Sequence, residues 1–265
     1  MNSLTAYIDG IAVIGPGLPD WPAAEAILAG RCTYAPAATI LPAPLALPAA
    51  ERRRAGRVVR LALAVGLEAS SRAELDRASL LTVFACSGGD GDNCHEICQA
   101  LATSERQLSP TRFHNSVHNA PAGYWSIASG AMTASTTVCA YDASFAAGLI
   151  EALVQVAAHA RPVLLIACDA AYPPPLHATR PLADAFGAAL ALAPTRGARS
   201  IARLTAALGE RAVDRFAEPE LEQLRISAPA GRSLPLLALI AKRQSAAVSV
   251  EYLGSRSLHA AVEPC

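Results

Sequence analysis

Short apolar runs alternate along this chain with longer stretches in which apolar residues recur at helical spacing. The short runs predict strands at residues 7–14, 80–85, 135–139, 162–167 and 185–192, with a terminal hairpin at 248–253 and 258–262. The longer stretches predict helices at residues 20–28, 51–73, 93–101, 121–129, 143–159 and 219–224, with a further element at 234–242. This alternation predicts an α/β fold whose helices lie around a mostly parallel mixed sheet.

The composition argues against a disordered chain, a nucleic-acid-binding protein and a membrane protein. The 265 residues are 52% hydrophobic and 17% charged, which is typical of a globular protein. Twenty-two basic residues balance 22 acidic ones, so we expect no nucleic-acid partner. The sequence shows neither a signal peptide nor an apolar stretch of the roughly 20 residues that span a bilayer. We therefore expect a cytoplasmic protein with no membrane partner and with seven reduced cysteines.

Two clusters have residue types that bind metals but lack the required spacing. The glycine-rich loop at residues 88–93 has neither the acidic spacing of a calcium loop nor the lysine of a phosphate loop, so it predicts a strand-to-helix turn. Cys94, His95 and Cys98 share one helical turn, but no second pair of ligands complements them. We expect no metal site and no cofactor.

Two polar groups on predicted helices are candidates for contacts with other proteins. Arg53, Arg57 and Arg60 share one helix face, which is either a solvated face or a docking patch for an acidic carrier protein or a partner subunit. His114 and His118 are four residues apart, interleaved with asparagines, and no third ligand is evident. These histidines predict polar contacts at a subunit interface.

The segment from Ser109 to Ala152 carries the strongest functional signal. A helix of small residues, an alternating strand, a sharp turn and a second helix rich in alanine and glycine follow one another. A strand that leads directly into a helix N-terminus presents a nucleophile at an elbow.

This segment resembles the β-ketoacyl synthases, the condensing enzymes of the thiolase-like fold. The matching residues are Ser109-Pro110 with Phe113, Asn119 with Ala122-Gly123 and Ser126-Ile127, and the strand and helix at 134–138 and 146–152. The resemblance continues diffusely over residues 6–192. It implies a thiolase-like layered fold, with an N-terminal α/β domain at 1–193 and a truncated C-terminal portion at 194–265 that completes the core.

The nucleophile position departs from the family pattern. An ungapped alignment on Asn119 places the family's catalytic cysteine at Asp142. Cys139 is then expected to be a buried thiol at the end of the strand, and Asp142 to be the N-cap of the next helix. A carboxylate is a poorer nucleophile toward a thioester than a thiolate.

The family's two catalytic histidines are the second departure. After Asp142 the chain has only His159, His177 and His259, and none stands in the family's His-Gly-Thr context. The late Phe-Gly motif is missing, and the chain is much shorter than full ketosynthases. The resemblance therefore implies a protein that is not an enzyme on its own.

Relatives without the cysteine are chain-length factors, which pair with an active ketosynthase and shape its acyl tunnel. We hypothesise such a subunit in type II fatty-acid or polyketide synthesis, similar to the short proteins of bacterial aryl-polyene pigment clusters. Its partners would be an active ketosynthase and, transiently, an acyl carrier protein. The resemblance implies that these residues form the tunnel and the partner interface: Phe113, His114, Asn115, Ser116, Val117, His118, Asn119, Ser135, Thr136, Thr137 and Val138.

Two alternatives stay open at this point. Cys139 could become acylated and serve acyl transfer or 3-oxoacyl-carrier synthesis. The chain could also be a stand-alone module that binds acyl groups without a ketosynthase partner.

Overall fold

One mixed sheet of eight strands organises the computed structural model, which describes residues 3–182 and 184–265. The strands are β1 (Leu4–Ile14), β2 (Leu81–Ala85), β3 (Ser135–Val138), β4 (Val163–Asp169), β5 (Phe186–Ala193), β6 (Ala202–Gly209), β7 (Ala246–Glu251) and β8 (Ser257–Pro264). Their order across the sheet is β3-β2-β4-β5-β1-β6-β8-β7, so β3 and β7 are its edges.

Helices cover both faces of this sheet. They are α1 (Trp21–Leu28), α2 (Ala49–Arg54), α3 (Arg57–Arg72), α4 (Gly91–Ala102), α5 (Pro110–His114), α6 (Ala120–Ser129), α7 (Ser144–His159), α8 (Leu176–Thr179), α9 (Pro219–Ser227) and α10 (Leu234–Ala241). The helix predicted at 51–73 is divided into α2 and α3, because the backbone is extended at Ala55 and Gly56. Glycine is a poor helix former, which favours a break at this point.

The α/β class and the mixed sheet are confirmed, but parallel pairs do not predominate. Among the described residues, β2 pairs in parallel with β3 and β4, and the other five pairings are antiparallel. Parallel neighbours need a long crossover connection. Helices connect β1 with β2, β2 with β3 and β3 with β4, but of these pairs only β2 and β3 are neighbours in the sheet, and the link from β4 to β5 contains the short α8.

Alternate residues of the central strands enter two separate cores. Val83 and Leu165 belong to the core that α7 covers, whereas Phe84 and Ile166 belong to the core that α3 and α6 cover. This follows from the two-residue period of a strand. Every residue of β2 and β4 is buried, as is typical of strands covered on both faces. The polar residues that follow these strands are therefore held on a rigid platform.

Strand β6 is absent from the sequence prediction. Its inward positions are Ala202, Leu204 and Ala206, and alanine has little strand preference. β6 pairs with both β1 and β8, so the strands of residues 194–265 extend the same sheet as those of residues 1–193. The domain boundary after residue 193 stays a prediction.

Gly148 allows α7 to approach the sheet closely. A Cβ built at this position lies 2.6 Å from the Cβ of Ala85 and 3.0 Å from Cδ1 of Leu165. We expect Gly148→Ala to lower the free energy of unfolding by about 1–3 kcal/mol, as overpacking of a core does. Chemical denaturation of the purified chain measures this change.

Gly123→Ala is the matched control for this substitution. Gly123 lies inside α6, and no described atom is within 4 Å of its Cβ position. Alanine should therefore raise the free energy of unfolding by up to about 1 kcal/mol through its helix preference. Equal destabilisation by the two substitutions would contradict the close approach of α7.

Candidate functional site

The predicted elbow is present between β3 and α7. A single turn of 3-10 helix at Tyr141–Ala143 follows the strand, and α7 begins at Ser144. Tyr141 has a φ of 53°, a left-handed conformation that residues other than glycine rarely adopt. The Ser144 hydroxyl donates to the carbonyl oxygen of Tyr141 (2.7 Å) and accepts from the N–H of Ala140 (3.1 Å). These two bonds hold the turn in place.

Asp142 lies in this turn, but the prediction that it caps α7 is wrong. The N-cap residue is Ala143. The Asp142 carboxylate instead accepts a hydrogen bond from Nη2 of Arg180 at 2.9 Å and lies 3.6 Å from Nη2 of Arg232. The side chains of these arginines are 15% and 9% exposed. Cations so far from water need a nearby carboxylate, and this requirement directs Asp142 away from the helix N-terminus.

Arg232 connects the elbow with the C-terminal portion of the chain. Its Nε donates to Oε2 of Glu251 on β7 at 2.8 Å. Its Nη1 donates to the carbonyl oxygens of Ile226 (2.8 Å) and Ala228 (3.0 Å), at the end of α9. Asp142 is therefore one end of a charge network that extends from the elbow to β7 and α9.

Cys139 is exposed, so the prediction of a buried thiol is wrong. It follows the last residue of β3, and its Sγ donates to the carbonyl oxygen of Ser87 at 3.0 Å. Because β3 is an edge strand, a side chain at its end is covered by fewer neighbours than one on β2. Cys139 also precedes the turn at Tyr141–Ala143, and therefore lies outside the first turn of α7, where the helix dipole favours an anion.

A second polar cluster lies where β2 and β4 end. Asp169 is 2% exposed, and its Oδ1 accepts from the N–H (2.9 Å) and the hydroxyl (2.6 Å) of Ser87. Its Oδ2 accepts from the N–H of Ala230 at 2.9 Å. Desolvation by burial raises the pKa of Asp169 to about 7, with a smaller rise from Cys86, while the three hydrogen bonds act in the opposite direction. Asp169 thus ties the strand ends to the 3-10 segment that carries Arg232.

His118, one of the predicted interface residues, is held against the end of β2. Its Nε2 donates to the carbonyl oxygen of Cys86 at 2.9 Å. Hydrogen bonding with the Cys86 side chain raises the pKa of His118, although partial burial opposes this rise. His118 therefore belongs to the strand-end cluster as well as to the predicted partner surface.

Most of the other predicted interface residues lie at the surface or on the edge strand β3. The exposed ones in the segment that includes α5 are Phe113, His114, Ser116, Val117 and Asn119. The predicted strand residues Ser135, Thr136, Thr137 and Val138 form β3, which pairs with β2 on one side. Sequence reasoning missed Met132, whose side chain is 97% exposed just before β3. A lone methionine without a periodic neighbour gives no signal in the sequence.

Asn115 is the buried member of this segment, and its predicted place at the interface stays a prediction. Its Nδ2 donates to the carbonyl oxygen of Arg54 at 2.9 Å. Its Oδ1 accepts from the hydroxyl of Tyr124 at 3.1 Å. Asn115 therefore joins the end of α2 to α6 beneath the exposed segment.

The three predicted docking arginines differ in how free their side chains are to contact another protein. Arg53 is exposed, whereas Arg57 donates to Oδ1 of Asp184 at 2.6 Å and Arg60 donates to the carbonyl oxygen of Leu41 at 3.0 Å. A cavity of about 490 Å³ opens beside the N-terminus of α3. Its cationic lining residues are Arg53, Arg54, Arg57 and Arg112. The structure thus gathers Arg53 and Arg57 at one cavity and uses Arg60 to hold the preceding loop.

Sequence reasoning also missed Arg180, Arg232 and Asp169. The two arginines are distant from Asp142 in the chain, so no local spacing reveals the ion pairs. The sequence does hold one sign that Asp169 is a buried polar residue, because it ends a strand whose other residues are almost entirely apolar. A carboxylate in that place is expected to be bonded by neighbouring donors.

Metal binding and membrane insertion find no support in the part of the chain that the structure describes. Within residues 3–182 and 184–265, no three His, Cys, Asp or Glu side chains are grouped so that they could hold a metal ion. The helices of these residues are all too short or too polar to cross a membrane.

The family follows from comparison with known proteins. The family model described as "Beta-ketoacyl synthase, N-terminal domain" matches residues 29–252. Because that match covers most of the chain, the chain belongs to the β-ketoacyl synthase family. No curated protein sequence matches the chain.

Solved structures share the fold over nearly the whole chain. The ketosynthase ApeO in complex with its chain length factor ApeC, from Xenorhabdus doucetiae, matches with a TM-score of 0.74 at 25% identity, covering 97% of this chain and 99% of that one. The ishigamide ketosynthase/chain length factor matches at 0.70 and 14% identity, covering 98% and 99%. A type II polyketide acyl-carrier protein in complex with its ketosynthase, AntDE:AntF, matches at 0.75 and 10%, covering 99% and 100%. The thiolase-like fold is thereby confirmed.

Removal of the Asp142 carboxylate should destabilise the elbow. We expect Asp142→Ala to lower the free energy of unfolding by about 1–3 kcal/mol, because Arg180 loses its carboxylate partner in a largely buried place. Glu105→Ala, at an exposed position, should change it by less than about 0.5 kcal/mol. Denaturant titration compares the two, and an unchanged midpoint for Asp142→Ala would contradict a structural role of the ion pairs.

The raised pKa of Asp169 predicts a pH-dependent stability. The carboxyl titrates near its ordinary pKa of 3.8 in the unfolded chain and near 7 in the folded protein, which therefore holds more protons between these values. The free energy of unfolding should fall with rising pH in this window, by at most about 1.4 kcal/mol per pH unit. The Asp169→Asn variant should lack this contribution to the fall in the free energy of unfolding. Denaturation of both proteins at several pH values measures the difference, and parallel profiles would refute it.

Proposed function

We propose that this chain is a non-catalytic, chain-length-factor-like subunit. It would pair with an active β-ketoacyl synthase in type II fatty-acid or polyketide synthesis of the aryl-polyene kind, in the cytoplasm, and shape the acyl tunnel. The observation that carries this proposal is the Asp142 carboxylate, held at the nucleophile position by Arg180 and Arg232. A carboxylate is a weak nucleophile toward a thioester, and ion pairing with two guanidiniums weakens it further.

The positions of the late histidines support the same proposal. His159 ends α7, roughly 24 Å along the helix from the elbow. His259 lies on β8, six strands away from β3, which is roughly 29 Å across the sheet. His177 is hydrogen-bonded through Nδ1 to the carbonyl oxygen of Leu182, within its own loop. Neither His159 nor His259 can reach a thioester bound at Asp142.

The open edge of β3 supports a partner subunit at this face. The carbonyl oxygen of Ala134 accepts from the N–H of Thr82 on β2, and that of Val138 accepts from the N–H of Cys86, just after β2. In a parallel ladder the alternate residues, Ser135 and Thr137, then direct their backbone groups away from β2. An edge of this kind is a template for another strand.

The cationic cavity supports transient docking of an acyl carrier protein. Arg53 is exposed at its rim, and Arg54, Arg57 and Arg112 add positive charge. Asp90 and Asp92 also line the cavity, so its net charge is modest. An acidic carrier would be attracted mainly through Arg53, which raises the rate of encounter more than the affinity.

One observation favours a catalytic alternative. Cys139 is exposed near the elbow, so it could be acylated and serve acyl transfer or 3-oxoacyl-carrier synthesis. Incubation with an acyl-carrier thioester, followed by mass spectrometry of the protein, tests this alternative. A covalent adduct that is lost in Cys139→Ala would support it and would overturn the non-catalytic proposal.

Co-purification of this chain with a cognate ketosynthase tests the proposed pairing. Thr137→Pro removes one N–H at the open edge and leaves the bonds between β3 and β2 intact, and proline is tolerated on edge strands. We expect this substitution to abolish co-purification, because the strand of the partner loses a hydrogen-bond donor and meets the proline ring.

Thr137→Val is the matched control, because it keeps the N–H and the β-branched shape. It should co-purify like the wild-type chain, and thermal unfolding should show that both variants are folded. Undiminished binding by Thr137→Pro would argue against strand pairing at β3. A stable homodimer that ignores the ketosynthase would instead favour the stand-alone acyl-binding module.

A further inference from the structure

Three cysteines lie side by side across the parallel part of the sheet. The residues that precede them pair in register, Ala85 with a residue of β3 and with a residue of β4. Continuation of this register places Cys139, Cys86 and Cys168 in one row, at the ends of β3, β2 and β4. Cys86 and Cys168 are 2% and 1% exposed, whereas Cys139 is exposed. The two buried thiols have no part in the function proposed above.

Cys86 and Cys168 meet the geometric requirement for a disulfide. Both belong to the core formed with α3 and α6, so both side chains leave the same face of the sheet. Neighbouring strands are about 4.7–4.9 Å apart, which lies inside the Cα separation of about 4.4–6.8 Å that disulfides span. The two thiols are close enough for each to shift the pKa of the other. Little backbone movement is therefore needed to join them.

The surroundings give the two thiols different chemistry. The hydrogen bond from Cys168 lowers the pKa of the Cys86 thiol, and His118 and the N–H groups of Gly88 and Gly89 lower it further, although burial opposes them. The N–H of Gly89 lies 3.2 Å from the Cys86 sulfur. The hydrogen bond to Cys86, together with burial, raises the pKa of Cys168. Cys86 thus loses its proton more readily than Cys168, and the thiolate is the form that reacts with oxidants.

We propose that Cys86 and Cys168 are a redox pair, which a peroxide converts to a disulfide inside the folded protein. The Cys86 thiolate attacks one oxygen of hydrogen peroxide, the O–O bond breaks, and Cys86 sulfenic acid and hydroxide form. The Cys168 sulfur then attacks the sulfenic sulfur, the S–O bond breaks, and the second oxygen leaves as water. The two thiols lose two electrons and two protons in total, and the peroxide is reduced to two waters.

The chain reaches the surface two residues after Cys86, which keeps this thiol close to solvent. Gly88, two residues after Cys86, is exposed, and Ser87 between them is at the limit of burial. Cys94 and Cys98 lie elsewhere, exposed on α4.

Peroxide treatment of the folded, full-length chain tests the proposal. We expect the protein to lose two of its seven thiols and to yield a Cys86–Cys168 cross-linked peptide on non-reducing digestion, with both thiols regained after reduction by dithiothreitol. Cys86→Ala and Cys168→Ala should each abolish this cross-link. Cys139→Ala, in the same row, is the matched control and should leave it intact.

Three results would overturn the proposal. These are a disulfide between Cys94 and Cys98 with Cys86 and Cys168 still free, a disulfide that includes Cys139, and recovery of both buried thiols after oxidation. A second measurement uses the wild-type chain, so it does not require any variant to fold. The disulfide removes the Cys86 thiolate, so the pKa of His118, followed by NMR, should fall toward its ordinary value of 6.5 on oxidation. An unchanged pKa of His118 would contradict the assignment of Cys86 as the thiolate.

Discussion

The structure around the elbow depends on the charge balance between Asp142 and two nearly buried arginines. Arg180 and Arg232 lie where water cannot solvate them fully, so each requires a carboxylate within the protein. Asp142 supplies one to both, and Glu251 supplies a second to Arg232. The interaction holds the elbow against segments from the last third of the chain. In the proposed function, the interaction that stabilises this site is also the one that keeps it silent.

The sequence predicts the local shape of this site better than its contacts. Small-residue periodicity and alternating polarity are local properties, and they placed β3, the turn and α7 within one or two residues of their observed bounds. The partners of Asp142 are long-range, since Arg180 is 38 residues away, and local spacing carries no information about them. The prediction that Asp142 caps α7 was wrong for that reason. The exposure of Cys139 was mispredicted because the position of β3 at the sheet edge is a property of the whole topology.

The same distinction holds for the fold. The α/β class follows from the alternation of periods, and the family's small-residue motifs imply the thiolase-like arrangement. Strand direction does not follow from alternation, because it depends on whether the connecting segment contains a helix long enough to cross a sheet face. The link from β4 to β5 contains the short α8, and these two strands are antiparallel neighbours. β6 escaped prediction because its inward positions are mostly alanine.

The most direct test of the central claim is a reconstituted elongation assay with two complementary complexes. One complex contains this chain with Cys139→Ala and Asp142→Asn beside an intact ketosynthase, and the other contains the wild-type chain beside a ketosynthase whose nucleophilic cysteine is replaced by alanine. A silent subunit predicts that elongation persists in the first complex and disappears in the second. Loss of elongation in the first complex, with the complex still assembled, or elongation by the second, would contradict the account.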